Sequence, residues 1–307
     1  MKKIVVAGGG VLGSQIAFQS AFCGFDVTIW LRSEDSIKRA QPKLERLKEI
    51  YLNTLEAMKT NPEEYCRGFN CECELDKIDE VKTKVKKAYE NITLTTSYAE
   101  AGDDADLVIE AIAEDPEQKI AFYQELAKHI PEKTIIVTNS STMLPSAFAK
   151  YTGRPEKYLA LHFANEIWRN NTAEIMGHEG TGEEYYDAVC EFAEDINMIP
   201  LKLKKEQPGY ILNSMLVPFL SAAEALYANG VADFETIDKT WMLATGAPLG
   251  PFRILDIVGL TTAYNIGMMN PKSSDPNTIE GKIAAMLKEK IDAGKTGINA
   301  GEGFYKY

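Results

Sequence analysis

The sequence predicts a doubly wound α/β sheet with a helical excursion after its second strand, followed by an all-helical domain. Three observations predict it. Short β-branched runs alternate with helical stretches over residues 1–206, the pattern of a parallel sheet. A glycine-rich turn, GGGVLG, follows the first run and opens the first helix. Residues 207–307 carry apolar residues almost entirely at helical spacing. At 307 residues the chain is long enough for two cores.

The strands are read in order as KIVVA, DVTIWL, NITLTTS, DLVIEAI, KTIIVTNS and KYLALHF. NTAEIMG and MIPLKLK extend the sheet. Residues 34–90 form a long insert between the second and third strands. Within it Ala40, Leu44, Leu47, Tyr51, Leu55 and Met58 recur at spacings of three and four, which makes one apolar helical stripe. Pro42 predicts a kink or a fresh start early in that helix. TNPEEYCRGFNCECELD breaks the pattern, and a second, charged helix follows near 77–90. KKEQPGY marks the domain boundary, giving 1–206 and 207–307. Beyond it PGYILNSMLVPFLSAAEALYANG, DFETIDKTWMLATG, PFRILDIVGLTTAYNIGMM and TIEGKIAAMLKEKIDAG read as helices. Gly230 and Gly246 fall where helix ends favour a left-handed residue. Apolar faces on several adjacent helices predict a bundle that packs on a second subunit, hence a homodimer.

A net charge of −12 argues against nucleic-acid and anionic-membrane partners. No run reaches membrane length and none has the form of a signal peptide, so a cytoplasmic protein acting on a small molecule is expected. Cys66, Cys71 and Cys73 cluster, but three thiols without a nearby histidine are read as reduced surface cysteines and no metal site is expected.

Gly8, Gly10 and Gly13 form GxGxxG between a strand and an apolar helix beginning Val11-Leu12, the fingerprint of a Rossmann dinucleotide site. Gly8 permits the tight turn, Gly10 admits the pyrophosphate, and Gly13 lets helix and strand approach. An NAD site carries an acid about twenty residues on, for the ribose hydroxyls. Here that stretch reads Trp30, Leu31, Arg32 and Ser33. A carboxylate would repel a 2′-phosphate, whereas Arg32 can grip it and Ser33 can add a hydrogen bond. NADP(H) is therefore favoured. In the alternative, Arg32 points to solvent and NAD(H) binds without its usual acceptor.

Of the histidines, His129 lies at a helix end and His178 in a loop. His162 closes a strand at the carboxyl edge, where such sheets bind ligands, and is the candidate general acid/base. Ser141 and Asn139 follow the neighbouring strand in TNSST. Glu174 is the one carboxylate in an apolar strand, suited to orient an imidazole. Asn213 sits one turn into the first helix of the second domain, flanked by apolar residues.

These segments, together with DLVIEAIAEDPEQK, LHFAN, AEIMG, GAPLGPFRILDIVGL and GEGFYKY, resemble the 3-hydroxyacyl-CoA dehydrogenases nearly end to end. The resemblance implies His162 as acid/base, Glu174 as its partner, and Ser141 and Asn213 on the reacting oxygen. It also places Ala111, Glu114, Lys119 and Asn165 along the cofactor, with Lys295 near it. Phe-Phe-Asn-Pro is the usual motif after the histidine. Here FANEIWRNN stands there, so Ala164, Glu166, Trp168 and Arg169 are expected to remodel the substrate side. Arg169 either holds a substrate carboxylate or makes a surface salt bridge. The insert holds 12 basic and 13 acidic residues, which gives no net positive cradle for CoA. HFAN…W…NNTAE and GYILNSMLVP look more like the diketoreductase branch, which reduces β,δ-diketo esters. The expected function is thus interconversion of a 3-oxo acid, ester or thioester with its 3-hydroxy form, by an NADPH-preferring reductase. An NAD-dependent 3-hydroxybutyryl-CoA dehydrogenase is one alternative. A non-catalytic, crystallin-like dinucleotide-binding protein is another.

Overall fold

In a computed structural model, which describes residues 1–70 and 77–307, the apolar runs become one eight-stranded sheet. The strands are β1 (Lys3–Ala7), β2 (Asp26–Trp30), β3 (Thr93–Thr95), β4 (Leu107–Glu110), β5 (Ile135–Thr138), β6 (Tyr158–Phe163), β7 (Thr172–Met176) and β8 (Ile199–Leu203). Their order is β3-β2-β1-β4-β5-β6-β7-β8. The strand order reverses between β1 and β4, which opens a crevice at their carboxyl ends. All neighbours are parallel except β6 and β7. Residues 164–171 between them are too few for a crossover, which needs about a dozen or more, so the chain turns straight back.

Side chains alternate along β6 and β7 and sort the core into two faces. Leu159, Leu161, Phe163, Ala173 and Ile175 pack on one face. That face is covered by α1 (Val11–Phe22), α2 (Glu34–Thr60), α3 (Ile78–Asn91) and α7 (Glu183–Asp195), whose buried residues join the same cluster. The other face is lined by Val5, Ala7, Val108, Ile136 and Tyr158 and packs on α4 (Tyr98–Gly102), α5 (Pro116–Leu126) and α6 (Pro145–Phe148). Ala160 and Met176 share that side with Tyr210.

The insert packs on the first face. Ala40, Leu44, Leu47, Tyr51, Leu55 and Met58 are all buried, as their spacing predicts. The helix runs unbroken through Pro42, where a fresh start was one expectation. Pro42 and Lys38 are exposed, so the carbonyl left without an amide partner can be hydrated. Tyr51 is fully buried beside the rings of Phe18, Phe69 and Trp168, at 4.8, 5.0 and 5.3 Å. Trp168 is thus a core residue that ties the β6–β7 connection to the insert, not a substrate-side group. A Cβ on Gly68 would lie 2.7 Å from its backbone. Cys23 and Cys190 are free thiols, and Cys66 is 1% exposed, packed in the core rather than on the surface as expected. Cys71 and Cys73 lie outside the described residues. Among the described residues no group of three or more His, Cys, Asp or Glu could hold a metal ion, and no helix is long and apolar enough to cross a membrane.

The chain divides into Met1–Ile211 and Leu212–Tyr307, five residues after the expected boundary. Tyr210 is the reason: its side chain is buried beside Ala160, Met176 and Leu203 and its hydroxyl donates to the Ser140 carbonyl at 2.7 Å.

The second unit contains α8 (Leu212–Ala228), α9 (Phe234–Thr245), α10 (Pro251–Val258), α11 (Leu260–Gly267) and α12 (Ile279–Asp292). Gly230 and Gly246 are left-handed, as predicted. The stretch read as one helix after Pro251 is two, divided at Gly259 with φ of 90°. Two buried carboxylates close the unit. Asp238 accepts from the Phe252 and Arg253 amides, and Asp256 accepts from the Phe304 and Tyr305 amides and the Tyr307 hydroxyl.

Candidate active site

The glycine turn meets its expected constraints. Gly8 has φ of 117°, and a Cβ there would lie 2.4 Å from the Ala111 carbonyl oxygen. A Cβ on Gly13 would lie 2.2 Å from the Gly8 oxygen, so helix and strand touch here. Gly10 faces open space, with nothing within 4 Å. It caps α1 without a side-chain hydrogen bond, and the first turn holds no acid. The free amides and positive end of that helix suit a pyrophosphate.

Two cavities flank the turn. The larger, about 770 Å³, is walled by Gly8, Gly10, Leu31, Ala111, Tyr98 and Phe122 and by three cations, Arg32, Arg39 and Lys43. No described residue of this wall is an acid. Arg32 Nη1 reaches Gln118 Oε1 at 3.4 Å, so it does not simply extend into solvent. Arg39 Nη2 donates to Ser36 Oγ at 2.9 Å, and Lys43 Nζ donates to the Gly9 carbonyl at 2.9 Å. Ser33 does not line the cavity: its hydroxyl caps α2, accepting from the Ser36 amide, and Ser36 takes its place in the wall. Arg39 and Lys43 were missed in the sequence. Their signal is helical spacing, since Ser36, Arg39 and Lys43 follow at steps of three and four from the cap.

The second cavity, about 160 Å³, is lined by Gly10, Val11, Leu12, Gly13, Ala111, Glu114, Lys119, Asn139 and Ser141, among others. Lys119 is 1% exposed and pairs with the fully buried Glu110 at 2.6 Å. Glu110 also accepts from the Tyr123 and Thr138 hydroxyls and the Ile112 amide, so its lone pairs are fully used. Burial, with Glu110 alongside, pushes the Tyr123 phenol well above its ordinary range. Glu114 accepts from Ser140 Oγ at 2.7 Å and the Ser141 amide at 3.0 Å, which fixes the loop after β5. Asn139 Oδ1 accepts from the Phe163 amide and ties that loop to β6. These residues fit a dinucleotide: an uncapped helix start, a close-approach glycine and a cationic far end.

Next to this cavity stands a hydrogen-bonded line. His162 and Glu174 are directly opposed in the antiparallel register of β6 and β7 and share one face. His162 Nδ1 lies 3.1 Å from Glu174 Oε2, and its Nε2 lies 3.2 Å from Ser141 Oγ. Both ionisable groups are buried, at 5% and 4% exposure. The second Glu174 oxygen accepts from the Ile211 amide at 2.9 Å. A carboxylate on Nδ1 holds the imidazole in one tautomer and leaves Nε2 to exchange a proton. The other two histidines are held in local structure: His129 pairs with Glu125, and His178 bonds the Pro155 carbonyl.

Two other expected positions of the first unit, Asn165 and Arg169, lie apart from this line. Asn165 is exposed in the turn after β6, where its carbonyl accepts from Asn170, and it lines neither cavity. Arg169 makes the salt bridge of its second reading, with Glu64 at 2.9 Å. Lys295 pairs with Glu302 at 2.7 Å within the second unit. Asn213 lies in the first turn of α8 in that unit.

Residues 3–207 match the NAD-binding domain of 3-hydroxyacyl-CoA dehydrogenase, and residues 209–307 match its C-terminal domain. The chain is 30% identical to human mitochondrial hydroxyacyl-coenzyme A dehydrogenase over 309 residues, covering 100% of this chain and 91% of the relative. It is 28% identical to the 3-hydroxybutyryl-CoA dehydrogenase of Clostridioides difficile, covering 99% of each. Among solved structures, a diketoreductase described as acting on dicarbonyl compounds shares 47% identity and a TM-score of 0.86, covering 100% of this chain and 99% of that one. FadB2 of M. tuberculosis shares 25% identity and a TM-score of 0.80, over 100% and 99%. The chain belongs to the 3-hydroxyacyl-CoA dehydrogenase family, as a nicotinamide-dinucleotide oxidoreductase acting on CH–OH.

Proposed function

We propose that this protein is an NADPH-preferring carbonyl reductase that interconverts a small 3-oxo acid, ester or thioester with its 3-hydroxy form. The observation that carries the coenzyme preference is the wall bearing Arg32, Arg39 and Lys43 and, among the described residues, no acid. A monoester phosphate brings about two negative charges, which such a wall attracts and the usual carboxylate would repel. The substrate class is supported by the likeness to a diketoreductase described as acting on dicarbonyl compounds.

The bound coenzyme supplies the hydride. His162 holds the proton at Nε2 and gives it to the carbonyl oxygen as charge develops there. Glu174 on Nδ1 stabilises the imidazolium. Ser141 Oγ, beside Nε2, donates to the same oxygen. Asn213, at the start of α8, takes the substrate-positioning role that the family resemblance gives it. In oxidation His162 is the base. The active form is a homodimer in the cytoplasm, joined through the helical unit.

The test is a panel of free, esterified and CoA-linked 3-oxo acids, each run with NADPH and NADH. Highest kcat/KM for a free or esterified 3-oxo acid with NADPH is expected. Preference for acetoacetyl-CoA with NADH assigns the 3-hydroxybutyryl-CoA dehydrogenase reading instead, and no turnover on any ketone assigns the non-catalytic one. His162→Gln should lower turnover by about 10²–10⁴-fold with coenzyme affinity unchanged. Full activity in that variant refutes the assignment.

A further inference from the structure

Tyr210 has no part in the proton transfer described above, yet it touches that machinery at two points. Its ring lies face to face on the His162 imidazole, with centroids 4.3 Å apart and planes 10° from parallel. Its hydroxyl donates to the Ser140 carbonyl at 2.7 Å, one residue before the Ser141 that meets His162 Nε2 at 3.2 Å. One side chain therefore joins the imidazole to the backbone residue that precedes its serine partner.

The backbone is shaped to put it there. Tyr210 has φ of 54° and follows Gly209 at 78°. A bulky residue rarely adopts the left-handed region, and when it does so the surrounding contacts hold it there. Here those contacts are known. The Tyr210 ring is 1% exposed beside Ala160, Met176 and Leu203, and the next amide, on Ile211, donates to Glu174 Oε1. The left-handed turn thus directs the ring onto His162 and the following N–H onto its carboxylate. The described ionisable groups around Tyr210 include His162 itself, the Glu174, Glu114 and Glu110 carboxylates and the Tyr158 phenol. Burial is the largest cause that lifts the Tyr210 phenol, with these carboxylates adding to it, so the hydroxyl stays a donor.

We propose that Tyr210 is a positioning residue: its ring fixes the plane of the His162 imidazole while its hydroxyl holds the Ser140–Ser141 backbone, setting the distance across which serine and imidazole share a substrate oxygen. The kinetic consequence rests on the reading of His162 as proton donor. The geometric claim stands without it.

Two variants separate ring from hydroxyl. Tyr210→Phe keeps the stacked face and loses the backbone anchor, and Tyr210→Leu loses both. In imidazole NMR spectra of the whole protein, assigned with His162→Gln, the His162 carbon-bound protons should be displaced upfield by the stacked ring. That displacement should survive in Tyr210→Phe and vanish in Tyr210→Leu. Misplacing reacting groups by about 1 Å costs about 10²-fold, so kcat for carbonyl reduction should fall on that order in Tyr210→Leu and far less in Tyr210→Phe, with KM for coenzyme unchanged in both. An undisplaced His162 signal in the parent protein overturns the proposal, as does a Tyr210→Leu enzyme that retains full kcat. An upfield His162 signal lost in Tyr210→Leu, in a protein that reduces no ketone, upholds the geometry and rejects the functional reading.

Discussion

Removing the two arginines of the larger cavity should selectively weaken NADPH binding, and the structure sets the scale. Arg32 and Arg39 are exposed, and their partners among the described residues, Gln118 and Ser36, are neutral. Either guanidinium can turn to a 2′-phosphate without breaking an ion pair. A hydrogen bond to a charged group contributes about 1.5–3 kcal/mol when shielded, and solvent screening brings an exposed one nearer 1. At 1.4 kcal/mol per tenfold, each arginine then contributes about five- to tenfold in NADPH affinity, and the pair about 25- to 100-fold. Lys43 is tied to the Gly9 carbonyl beside the glycine turn, so its loss should weaken both coenzymes alike. The assay is fluorescence titration of Arg32→Leu, Arg39→Leu and the double variant with NADPH and NADH, beside competition by 2′,5′-ADP and 5′-AMP. NADPH and 2′,5′-ADP should weaken stepwise while NADH and 5′-AMP hold. The NADPH advantage should also shrink as salt rises, because exposed charges are screened within about 10 Å at 0.1 M. Equal loss for both coenzymes, or a parent enzyme that prefers NADH, refutes the reasoning.

Three further outcomes are expected. Lys119→Met leaves the Glu110 carboxylate buried with neutral donors only, so it should cost about 3–5 kcal/mol in urea unfolding, and adding Glu110→Gln should recover part of that loss. Gly13→Ala should fail to fold or lose its coenzyme site, because the new Cβ meets the Gly8 oxygen at 2.2 Å, whereas Gly10→Ala should fold normally and bind coenzyme more weakly. Glu224 is 5% exposed, and burial pushes its carboxyl up from 4.5 to about 7. A folded-state value above the unfolded one means that its contribution is intact below pH 4.5 and is lost as pH rises through 7. The loss corresponds to about 3 kcal/mol, so Glu224→Met should resist urea better than the parent at pH 8 and little better at pH 4.5.

What could be read from the sequence was mostly local. The glycine turn, the helical stripe of the insert and the isolated acid of AEIMG each depend on residues a few positions apart, and all stand where they were placed. What escaped was long-range. Trp168 looks like substrate-side novelty in FANEIWRNN until Tyr51, from the insert, is seen beside it. Tyr210 looks like the start of a helix, because nothing in QPGYIL records that its ring returns to the sheet. Arg39 and Lys43 were legible as a helical face, but only once α2 was known to run unbroken past Pro42. Gly259 sits in an apolar stretch with helical spacing on both sides, and the break there follows from the Leu260 amide bonding Thr296, far along the chain.

The histidine–carboxylate pair depends on register before it depends on chemistry. Successive strand residues face opposite ways, so a slip of one residue between β6 and β7 would turn Glu174 into the apolar cluster around Phe163 and leave His162 without its acid. An antiparallel pair inherits its register from its connection, and this connection is fastened along its length. Gln15 Oε1 accepts from the Glu166 amide, Trp168 is locked against Tyr51 and Gly68, and Asn171 donates to the Asn197 carbonyl just before β8. These contacts come from α1, the insert and the β8 approach, none of which meets the substrate in the mechanism above. The FANEIWRNN segment therefore holds the two strands of the histidine–carboxylate pair in step. Its departure from the usual family motif is then a change in how the strand pair is supported, through the insert on which Trp168 packs.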